Sequence, residues 1–515
     1  MNGADRMCDT LLANDVDVCF ANPGTSEMHY VAALDRKPQM RCVLGLFEGV
    51  VTAAADGYAR MADKPAATLL HLGPGLANGL ANLHNARRAR TPIVNIVGDH
   101  ATYHLPLDAP LTSDIESLAR PMSHWVGRVR DAQDVAGKTA EAIAQAHIQP
   151  GISTLILPAD AAWGEVGAGK PERIAMPTRP EASADRMREA VAALKGSGKV
   201  ALILGGMAMR ADALALAGRI ATRTGAALFS ERAARSQRGA GRVATRPVPY
   251  SVDLAVAAFQ NFETVICVGG RPPVAFFAYP GKPGWLLPDG CTVIDLAGAE
   301  HDIQGTMEEL CKNVGAWEST TRVDAFTARQ LPIPTGPLDA NAISAALARN
   351  LPEGSIICEE SITSAGNLAA LAPTMAPHDH LPLTGGSIGI GIPLSVGAAV
   401  AAPDRKVVTL QADGSGMYTV QGLWTQAREN LDILTIIFSN RGYSILKGEM
   451  RNVGVNEFGR NARRMLEIDD PALDWCSLAR GMGVEAARAE TVEQFSRLLA
   501  AAFTKKGPFL IEAMI

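Results

Sequence analysis

The sequence predicts an α/β protein made of three consecutive domains, each built on a parallel β-sheet. Short apolar runs alternate with helical patterns in the first third of the chain, and the last third repeats this alternation. Two segments rich in proline and glycine, at residues 163–183 and 331–337, are typical of domain linkers. We therefore expect domains at residues 1–165, 185–328 and 340–515.

The composition is that of an ordinary soluble globular protein. Of the 515 residues, 47% are hydrophobic and 20% are charged, and the net charge is −5. No basic excess indicates a nucleic-acid partner, and no polybasic run indicates a membrane surface. Eight cysteines without a CxxC pair favour reduced thiols in a cytoplasmic protein. The amino terminus lacks the basic and apolar pattern of a signal peptide.

One stretch without a charge is long enough to raise the question of a membrane span. It covers 23 residues, Leu381–Pro403, and contains five glycines as well as Pro393. Because these residues break its start and its interior, we predict a buried loop and helix at the centre of a domain.

In the first domain, polar or glycine-rich clusters directly follow predicted strands. Three of these strands are Val16–Phe20, Cys42–Leu46 and Ala66–His71. Since parallel strands end at one edge of their sheet, we expect the residues that follow them to gather along one rim. These residues are Thr25, Glu27, Glu48, His71 and Gly73.

The central domain carries two double glycines after predicted strands. Gly205-Gly206 follows Val200–Leu204, and Gly269-Gly270 follows Val265–Val268. Neither run is a full GxGxxG motif, so tight strand-to-helix turns are favoured over a dinucleotide site.

In the last domain, two predicted strands end in residues suited to a metal and a phosphate. Val407–Leu410 leads into a turn that contains Asp413, and Ile433–Phe438 leads into Asn440. A helical crossover joins the two strands, so both side chains lie where open α/β sheets bind ligands. Oxygen ligands match Mg²⁺, and the N–H groups at a helix start match phosphate oxygens. The pattern indicates a Mg²⁺-diphosphate site.

The strip Asp413-Gly414-Ser415, with Asn440 27 positions after the aspartate, resembles the signature of thiamine-diphosphate-dependent enzymes of the decarboxylase and acetolactate synthase superfamily. Ala412 stands where that signature usually has glycine. Within the superfamily the chain most resembles the benzoylformate decarboxylases over nearly its whole length. The matching motifs lie at residues 22–27, 48–49, 55–59, 70–71, 109–112, 360–361, 385–393 and 422–424.

The resemblance implies that the three domains are pyrimidine-binding, central and diphosphate-binding, in that order, with thiamine diphosphate and Mg²⁺ as cofactors. It places Mg²⁺ on Asp413, Asn440 and the backbone carbonyl of Gly442. It further implies that Ile388 supports the cofactor from below and that the Gly386 carbonyl accepts from its aminopyrimidine. The diphosphate would be bound by Thr363, Gly414, Ser415 and Tyr418, whereas Ile362 replaces another hydroxyl of the pattern.

Three residues are implied in catalysis. Glu48 would hydrogen-bond the aminopyrimidine, although a glutamate at a helix start also has a structural explanation. His71 would assist proton transfer or product release; a structural histidine is the alternative, and acetolactate synthases generally lack a histidine here. Thr25 stands where the family has a serine that contacts the substrate carboxylate, and the alternative is a turn residue.

The predicted substrate pocket departs from the family pattern. It comprises Pro110, Leu111, Ile445, Leu446 and Glu449. Aromatic residues of the family are replaced by Pro382 and Glu449, and residues 271–279 lack a second catalytic histidine. We therefore do not expect benzoylformate to be the substrate.

The sequence and this resemblance thus predict a thiamine-diphosphate- and Mg²⁺-dependent non-oxidative decarboxylase that converts a 2-oxo acid to CO₂ and an aldehyde. The alternative is a carboligase of the acetolactate synthase type. A non-catalytic relative is disfavoured because Glu48 is retained, and a dinucleotide oxidoreductase is disfavoured because GxGxxG is absent. The resemblance implies a homodimer or homotetramer with the active site between chains, and we expect no nucleic-acid or membrane partner.

Overall fold

A computed structural model of the protein describes residues 1–167, 169–176, 178–231 and 233–515. Three sheets succeed one another along the chain, and every pairing within the first two sheets is parallel. The predicted fold class of three parallel-sheet α/β domains is confirmed. The predicted domain boundaries stay predictions.

The first sheet has six strands in the order β2-β1-β3-β4-β6-β5. The strands are β1 (Val18–Asn22), β2 (Arg41–Leu44), β3 (Ala66–Leu70), β4 (Ile93–Asp99), β5 (Trp125–Arg128) and β6 (Ile152–Pro158). The helices are α1 (Gly3–Ala13), α2 (Met28–Asp35), α3 (Glu48–Ala62), α4 (Leu72–Ala89), α5 (Ile115–Ala119), α6 (Val135–Ile148) and α7 (Ala159–Trp163). The near-continuous burial of β3, β4 and β6 is typical of a parallel sheet covered on both faces.

The central sheet has five strands in the order β10-β8-β7-β11-β12. In chain order the strands of this region are β7 (Val200–Leu204), β8 (Ala227–Ser230), β9 (Ser236–Arg238), β10 (Arg246–Pro247), β11 (Thr264–Val268) and β12 (Thr292–Ala297). The helices are α8 (Ala184–Lys195), α9 (Ala211–Thr224), α10 (Val252–Phe259) and α11 (Ile303–Asn313). The turns at Gly205 and Gly269 pack on each other, because a Cβ at Gly205 would lie 2.7 Å from the Gly269 carbonyl oxygen.

The third sheet has seven strands in the order β17-β18-β16-β15-β13-β14-β9. Its own strands are β13 (Ile356–Glu360), β14 (His378–Pro382), β15 (Val407–Ala412), β16 (Ile433–Ser439), β17 (Glu485–Ala489) and β18 (Phe509–Met514). The helices are α12 (Ala340–Asn350), α13 (Leu368–Leu371), α14 (Gly391–Ala401), α15 (Asp413–Gly416), α16 (Gly422–Arg428), α17 (Ser444–Asn452), α18 (Arg460–Leu466), α19 (Trp475–Gly481) and α20 (Val492–Thr504). Strand β9, which comes from the central region, pairs antiparallel with β14 and was not anticipated from the sequence.

The stretch without charge begins with the last two residues of β14, continues as a loop and forms α14. The helix is buried from Gly391 to Val400, but the loop is only partly buried and Gly386 is exposed, so the prediction of a buried loop was wrong at that point. Within the part of the chain that the structure describes, no helix has both the length and the apolar character to cross a membrane. Helix α14 packs against α3 of the first domain so closely that the two backbones touch. A Cβ at Gly57 would lie 2.0 Å from the Leu394 carbonyl oxygen, and one at Gly397 would lie 1.8 Å from that of Ala54.

A buried ion pair joins the three domains near this contact. Arg60 Nε donates to Asp56 Oδ1 at 2.7 Å, and both side chains are fully buried. The same guanidinium donates to the carbonyl oxygen of Pro382 at 2.8 Å and to that of Ala234 at 3.3 Å. Because its charge is paired and its donors are used, Arg60 is stable away from water.

Substituting Gly397→Ala should destabilise the protein by about 1–3 kcal/mol, because the new methyl group would collide with backbone rather than with a movable side chain. Thermal and urea unfolding, followed by circular dichroism, measures the effect. The matched control is Gly481→Ala at the end of α19, where a Cβ meets open space. Equal stability of the two variants would contradict the importance of the α3–α14 contact.

Candidate active site

Glu48 is the first residue of α3, as its position after a strand predicted. Its side chain is nearly buried, at 8% exposure, and its Oε2 accepts from Asn78 Nδ2 at 3.0 Å. No ion pair to Glu48 occurs among the described residues, so its compensation comes from the Asn78 amide and from the positive end of α3. A carboxylate in this setting is available to hold a further polar ligand.

His71 precedes α4 and forms a pair with a buried carboxylate. Its Nδ1 lies 2.8 Å from Glu27 Oε2 and 3.2 Å from Ser26 Oγ. Glu27 is 3% exposed and is itself fixed by the Gly24 N–H at 2.7 Å and by Ser26 Oγ at 2.6 Å. Since a carboxylate accepts, Nδ1 carries the proton in this pair and Nε2 is left for other chemistry.

The structure brings Glu48 and His71 together around Gly75. A Cβ at Gly75 would lie 3.3 Å from Glu48 Oε1 and also 3.3 Å from His71 Cβ. Of the five residues of the predicted rim, Glu27, Glu48 and His71 are thereby brought together. Sequence reasoning placed Glu27 on the rim but gave it no role; the signal was its position in the loop that also carries Thr25.

Thr25 lies at the edge of this cluster. It is exposed and begins a single turn of 3₁₀-helix, Thr25–Glu27. Its hydroxyl makes no hydrogen bond within the described chain. Pro110 and Leu111 are exposed on the loop that precedes α5. Their proposed contacts with substrate stay predictions.

Asp413 and Asn440 follow neighbouring strands, as predicted. Ala412 at the end of β15 pairs with Phe438 near the end of β16. Asp413 is 2% exposed; its Oδ1 accepts from the Gly414 N–H at 2.8 Å and its Oδ2 from the Arg441 N–H at 2.6 Å. Burial raises the pKa of the Asp413 carboxyl, although these N–H donors, together with that of Asn440, lower it.

The side-chain oxygen of Asn440 accepts from the Gly442 N–H at 3.1 Å, which turns the backbone sharply after β16. No lysine or arginine side chain pairs with Asp413 among the described residues. A buried carboxylate without a cation, next to an amide oxygen, fits a hard divalent ion such as Mg²⁺. The carbonyl of Gly442 as a third ligand stays a prediction.

The turn after β15 forms helix α15. The Tyr443 ring packs over Gly414, and the buried Ser415 hydroxyl donates to the Ala412 carbonyl at 3.2 Å. Tyr418, by contrast, is 55% exposed. A ligand that contacts both Ser415 and Tyr418 would therefore lie on the outer side of this turn.

The loop before α14 is held by helix α4 of the first domain. His84 Nε2 lies 3.0 Å from the Gly385 carbonyl oxygen, and Asn85 Nδ2 donates to that of Ser387 at 2.7 Å. Gly386 has a φ of +79°, which a residue with a side chain rarely adopts. Ile388 packs on the core shared by the first and third domains.

Thr363 is exposed, and the residue before it is strained. Ile362 has a φ of +54°, an unusual value for a β-branched side chain. Such strain is often found at ligand sites. Its presence next to Thr363 is consistent with the predicted diphosphate contact.

Among the predicted pocket residues, Ile445, Leu446 and Glu449 share helix α17. Leu446 is exposed, and Glu449 is turned toward the central domain, where its Oε2 accepts from Tyr279 at 2.8 Å and its Oε1 from Tyr250 at 3.2 Å. Sequence reasoning missed both tyrosines, which lie far from α17 in sequence. No local pattern could have paired them with Glu449.

Residues 271–279, which lack the second catalytic histidine of the family pattern, contribute aromatic side chains to a cavity. A cavity of about 480 Å³ is lined by two phenylalanines of that stretch, by helix α4 and by the loop before α14. A Cβ at Gly386 would lie 2.6 Å from Phe276 Cζ. The lining residues are Leu80, Ala81, His84, Met122, Phe276, Phe277, Gly385, Gly386 and Ser387.

Glu48 and His71 form one group of candidate site residues, and Asp413 and Asn440 form the other. No hydrogen bond or ion pair of the described residues joins Glu48 or His71 to Asp413 or Asn440. Asn82 connects their flanks, since its Nδ2 donates to the Gly49 carbonyl at 2.9 Å and to that of Gly389 at 3.3 Å.

Comparisons with known proteins identify the family of the chain. Residues 1–119 match the thiamine pyrophosphate enzyme N-terminal TPP binding domain, and residues 364–513 match the C-terminal TPP binding domain. A Mycobacterium tuberculosis H37Rv protein named "Putative acetolactate synthase large subunit IlvX" is 46% identical over 521 residues, covering 100% of this chain and 99% of that one. Benzoylformate decarboxylase of Pseudomonas aeruginosa is 27% identical over 530 residues, covering 98% and 97%.

The fold is also that of a solved structure, the thiamine diphosphate-dependent 4-hydroxybenzoylformate decarboxylase of Rhodococcus jostii RHA1. The TM-score is 0.84 at 23% identity, over 99% of this chain and 98% of that one. Fold and paired binding domains define a thiamine-diphosphate-binding architecture. The chain belongs to the thiamine-diphosphate-dependent decarboxylase and acetolactate synthase family.

Replacing Asp413 by alanine should weaken magnesium-dependent binding of thiamine diphosphate by at least about tenfold, because the buried carboxylate is the only charged group in the predicted ligand set. Calorimetric titration of the cofactor at fixed Mg²⁺ measures this.

The matched control is Asp474→Ala. This residue caps α19 and lies with Cys476 and Glu512 in another possible ligand cluster of the same domain. If the Asp474 variant lost cofactor and the Asp413 variant kept it, the assignment of the metal site would be wrong.

Proposed function

We propose that the protein is a thiamine-diphosphate- and Mg²⁺-dependent non-oxidative decarboxylase that converts a 2-oxo acid to CO₂ and an aldehyde. The Glu27–His71 pair beside Glu48 carries this proposal. Loss of CO₂ leaves an electron pair on carbon, and release of an aldehyde requires a proton at that carbon. A histidine held by a buried carboxylate is a suitable proton donor.

When bound, thiamine diphosphate supplies a carbon nucleophile for the keto group and an acceptor for the electrons released with CO₂. Glu48 holds the proton exchanged with the aminopyrimidine at one of its carboxylate oxygens. Asp413 and Asn440 hold Mg²⁺, and the N–H groups of the turn that contains Ser415 orient the diphosphate.

His71 Nε2 delivers the proton to the carbon that CO₂ has left. Glu27 is a positioning residue, because it fixes the ring through Nδ1 and favours Nε2 toward the site. Thr25, at the edge of the same cluster, binds the substrate carboxylate through its hydroxyl. This arrangement gives separate residues to carboxylate binding, cofactor activation and protonation.

The pocket does not favour benzoylformate. By the resemblance, Glu449 replaces an aromatic wall of the pocket, and its carboxylate is held toward the central domain by the hydroxyls of Tyr250 and Tyr279. Residues 271–279 lack the second histidine of the family pattern and instead place Phe276 over Gly386. A 2-oxo acid with a smaller or more flexible side chain fits these changes better.

A carboligase of the acetolactate synthase type is the second candidate. The mycobacterial relative at 46% identity is named as an acetolactate synthase large subunit, which favours this candidate. In that reaction a second carbonyl compound, rather than a proton, would take the electron pair. His71 is the residue that favours the first candidate over the second.

A panel of 2-oxo acids tests the proposal. Pyruvate, longer aliphatic 2-oxo acids and benzoylformate are incubated with thiamine diphosphate and Mg²⁺, and CO₂, aldehyde and acetolactate are quantified. We expect equal amounts of CO₂ and aldehyde from an aliphatic acid, and none with Glu48→Gln, which should still bind cofactor. Acetolactate without aldehyde would support the carboligase, and activity of Glu48→Gln would show that Glu48 is not the activating group.

We also infer a homodimer or homotetramer whose active site lies between chains. Support comes from the lack, among the described residues, of a hydrogen bond or ion pair between the two groups. It also comes from large apolar side chains exposed on the segments that follow Asp413 and Asn440 in sequence. These include Tyr418, Leu446 and Met465, at 55%, 43% and 75% exposure.

The cysteines of the described chain are all free, which is consistent with a cytoplasmic location.

Mixing two inactive variants tests the shared site. If Glu48 of one chain serves Asp413 of another, unfolding and refolding Glu48→Gln together with Asp413→Ala should restore activity at one site of each mixed dimer. Each variant refolded alone is the control. Failure of the mixture, with mixed dimers demonstrated by differential tags, would place both groups in one chain.

A further inference from the structure

The carboxylate of Glu360 lies inside a buried network between two segments of the candidate site. Glu360 is the last residue of β13 and is 1% exposed. Its Oε1 accepts from the Gly389 N–H at 2.5 Å, and its Oε2 accepts from the Gly391 N–H at 2.6 Å. Both donors lie between the loop with Gly386 and the first turn of α14. The carboxylate therefore fixes the end of that loop.

Gln411 extends the network to the other segment. It is fully buried in β15, and its Nε2 donates to Glu360 Oε2 at 3.1 Å and to Ser415 Oγ at 2.6 Å. Its Oε1 accepts from the Ile392 N–H at 3.1 Å. The hydrogen bonds of one amide thus connect the start of α14 to the turn that carries Asp413 and Ser415.

The space around Gly391 leaves no room for a side chain. A Cβ at Gly391 would lie 2.3 Å from Gln411 Oε1 and 3.0 Å from Glu360 Cβ. The loop can approach β13 and β15 this closely only because Gly391 has no side chain. Any change in Glu360 or Gln411 is therefore transmitted directly to the backbone of the loop.

No cation neutralises Glu360 among the described residues. Burial raises the pKa of its carboxyl to about 7, against the lowering effect of the Gly391, Gly389 and Gln411 donors. An acidic group is costly in such a place, and an apolar residue would serve packing better. The donors that hold it lie next to the two segments of the site: Gly389 and Gly391 follow the loop, and Gln411 precedes the turn.

Glu359, the residue before Glu360 on strand β13, provides a comparison because its contacts lie outside the two segments of the site. Its Oε2 lies 2.8 Å from His380 Nε2, and its Oε1 accepts from Ser361 Oγ at 3.0 Å. Burial raises the pKa of the Glu359 carboxyl, but these contacts and the charge of Arg238 outweigh it and lower the pKa to about 2. Successive side chains of a strand point to opposite faces, so Glu359 is a matched control for Glu360.

We propose that Glu360 is a positioning residue that, with Gln411, holds the loop of Gly386 and Ile388 at a fixed place relative to the turn of Asp413 and Ser415. The first segment is expected to contact the ring end of thiamine diphosphate, and the second its diphosphate end. One ligand must reach both, so their relative placement sets its affinity. This inference rests on the proposed placement of the cofactor and not on the substrate.

The test uses the full-length variants Glu360→Gln, Gln411→Asn and Glu359→Gln. In Glu360→Gln an amide N–H₂ faces a backbone N–H, so one acceptor is lost without a change in size. The asparagine side chain in Gln411→Asn is too short to reach Glu360 and Ser415 together. This variant tests the same network if Glu360→Gln does not fold. Cofactor affinity is measured by calorimetry at fixed Mg²⁺, and amide hydrogen exchange is measured on the protein without cofactor.

We expect both network variants to weaken cofactor binding by about tenfold to a hundredfold, as changes behind a binding group commonly do. Exchange should become faster selectively in residues 386–391 and 411–416. Glu359→Gln should leave both readouts close to the unsubstituted protein. Unchanged affinity in both network variants, or exchange that rises equally throughout the third domain, would overturn the proposal. Failure of the unsubstituted protein to bind cofactor would instead refute the site placement, while the exchange result would still report the coupling.

Discussion

Two glycines allow helices α3 and α14 to touch backbone to backbone, and the rest of the site depends on that contact. Helix α3 begins at Glu48, and α14 begins at the end of the loop that contains Gly386. Each helix therefore carries a segment of the site at its amino terminus. At Gly57 and Gly397 the two helix backbones are in contact, so the helices cannot slide along each other without a steric clash. The contact therefore fixes the positions of Glu48 and of the loop that contains Gly386. The buried Arg60, which reaches all three domains, stabilises the same junction.

Buried carboxylates recur at this junction, and they are compensated in different ways. Asp56 is paired with a guanidinium, whereas Asp413 and Glu360 are held by backbone N–H groups and Glu48 by an amide at a helix start. Of these residues, only Asp413 and Glu48 lie where a direct contact with a ligand is proposed, whereas Glu360 positions the loop. A charge left without a counterion lowers the stability of the protein by itself but is available to a metal or a ring nitrogen.

The sequence was sufficient for features that depend on local order along the chain. Apolar runs followed by polar loops located the strand ends, so Glu48, His71, Asp413 and Asn440 fall where parallel topology requires. Contacts between distant segments carry no such local pattern. The pairing of Glu449 with Tyr250 and Tyr279 joins helix α17 to loops about 170–199 residues away. The positive φ of Ile362 could not be predicted from the sequence either, because β-branched residues rarely adopt that conformation.

Strand β9 has a consequence for how the polypeptide is partitioned. It leaves the central region, covers the edge of β14 over His378–His380, and then the chain returns to complete the central sheet with β10. An open edge with free N–H and C=O groups is a template for pairing with other chains. A fragment that starts at the second linker lacks β9 and would leave that edge of β14 open. The third sheet is therefore completed by a strand from the central region, and cutting the chain at the second linker would remove one of its seven strands.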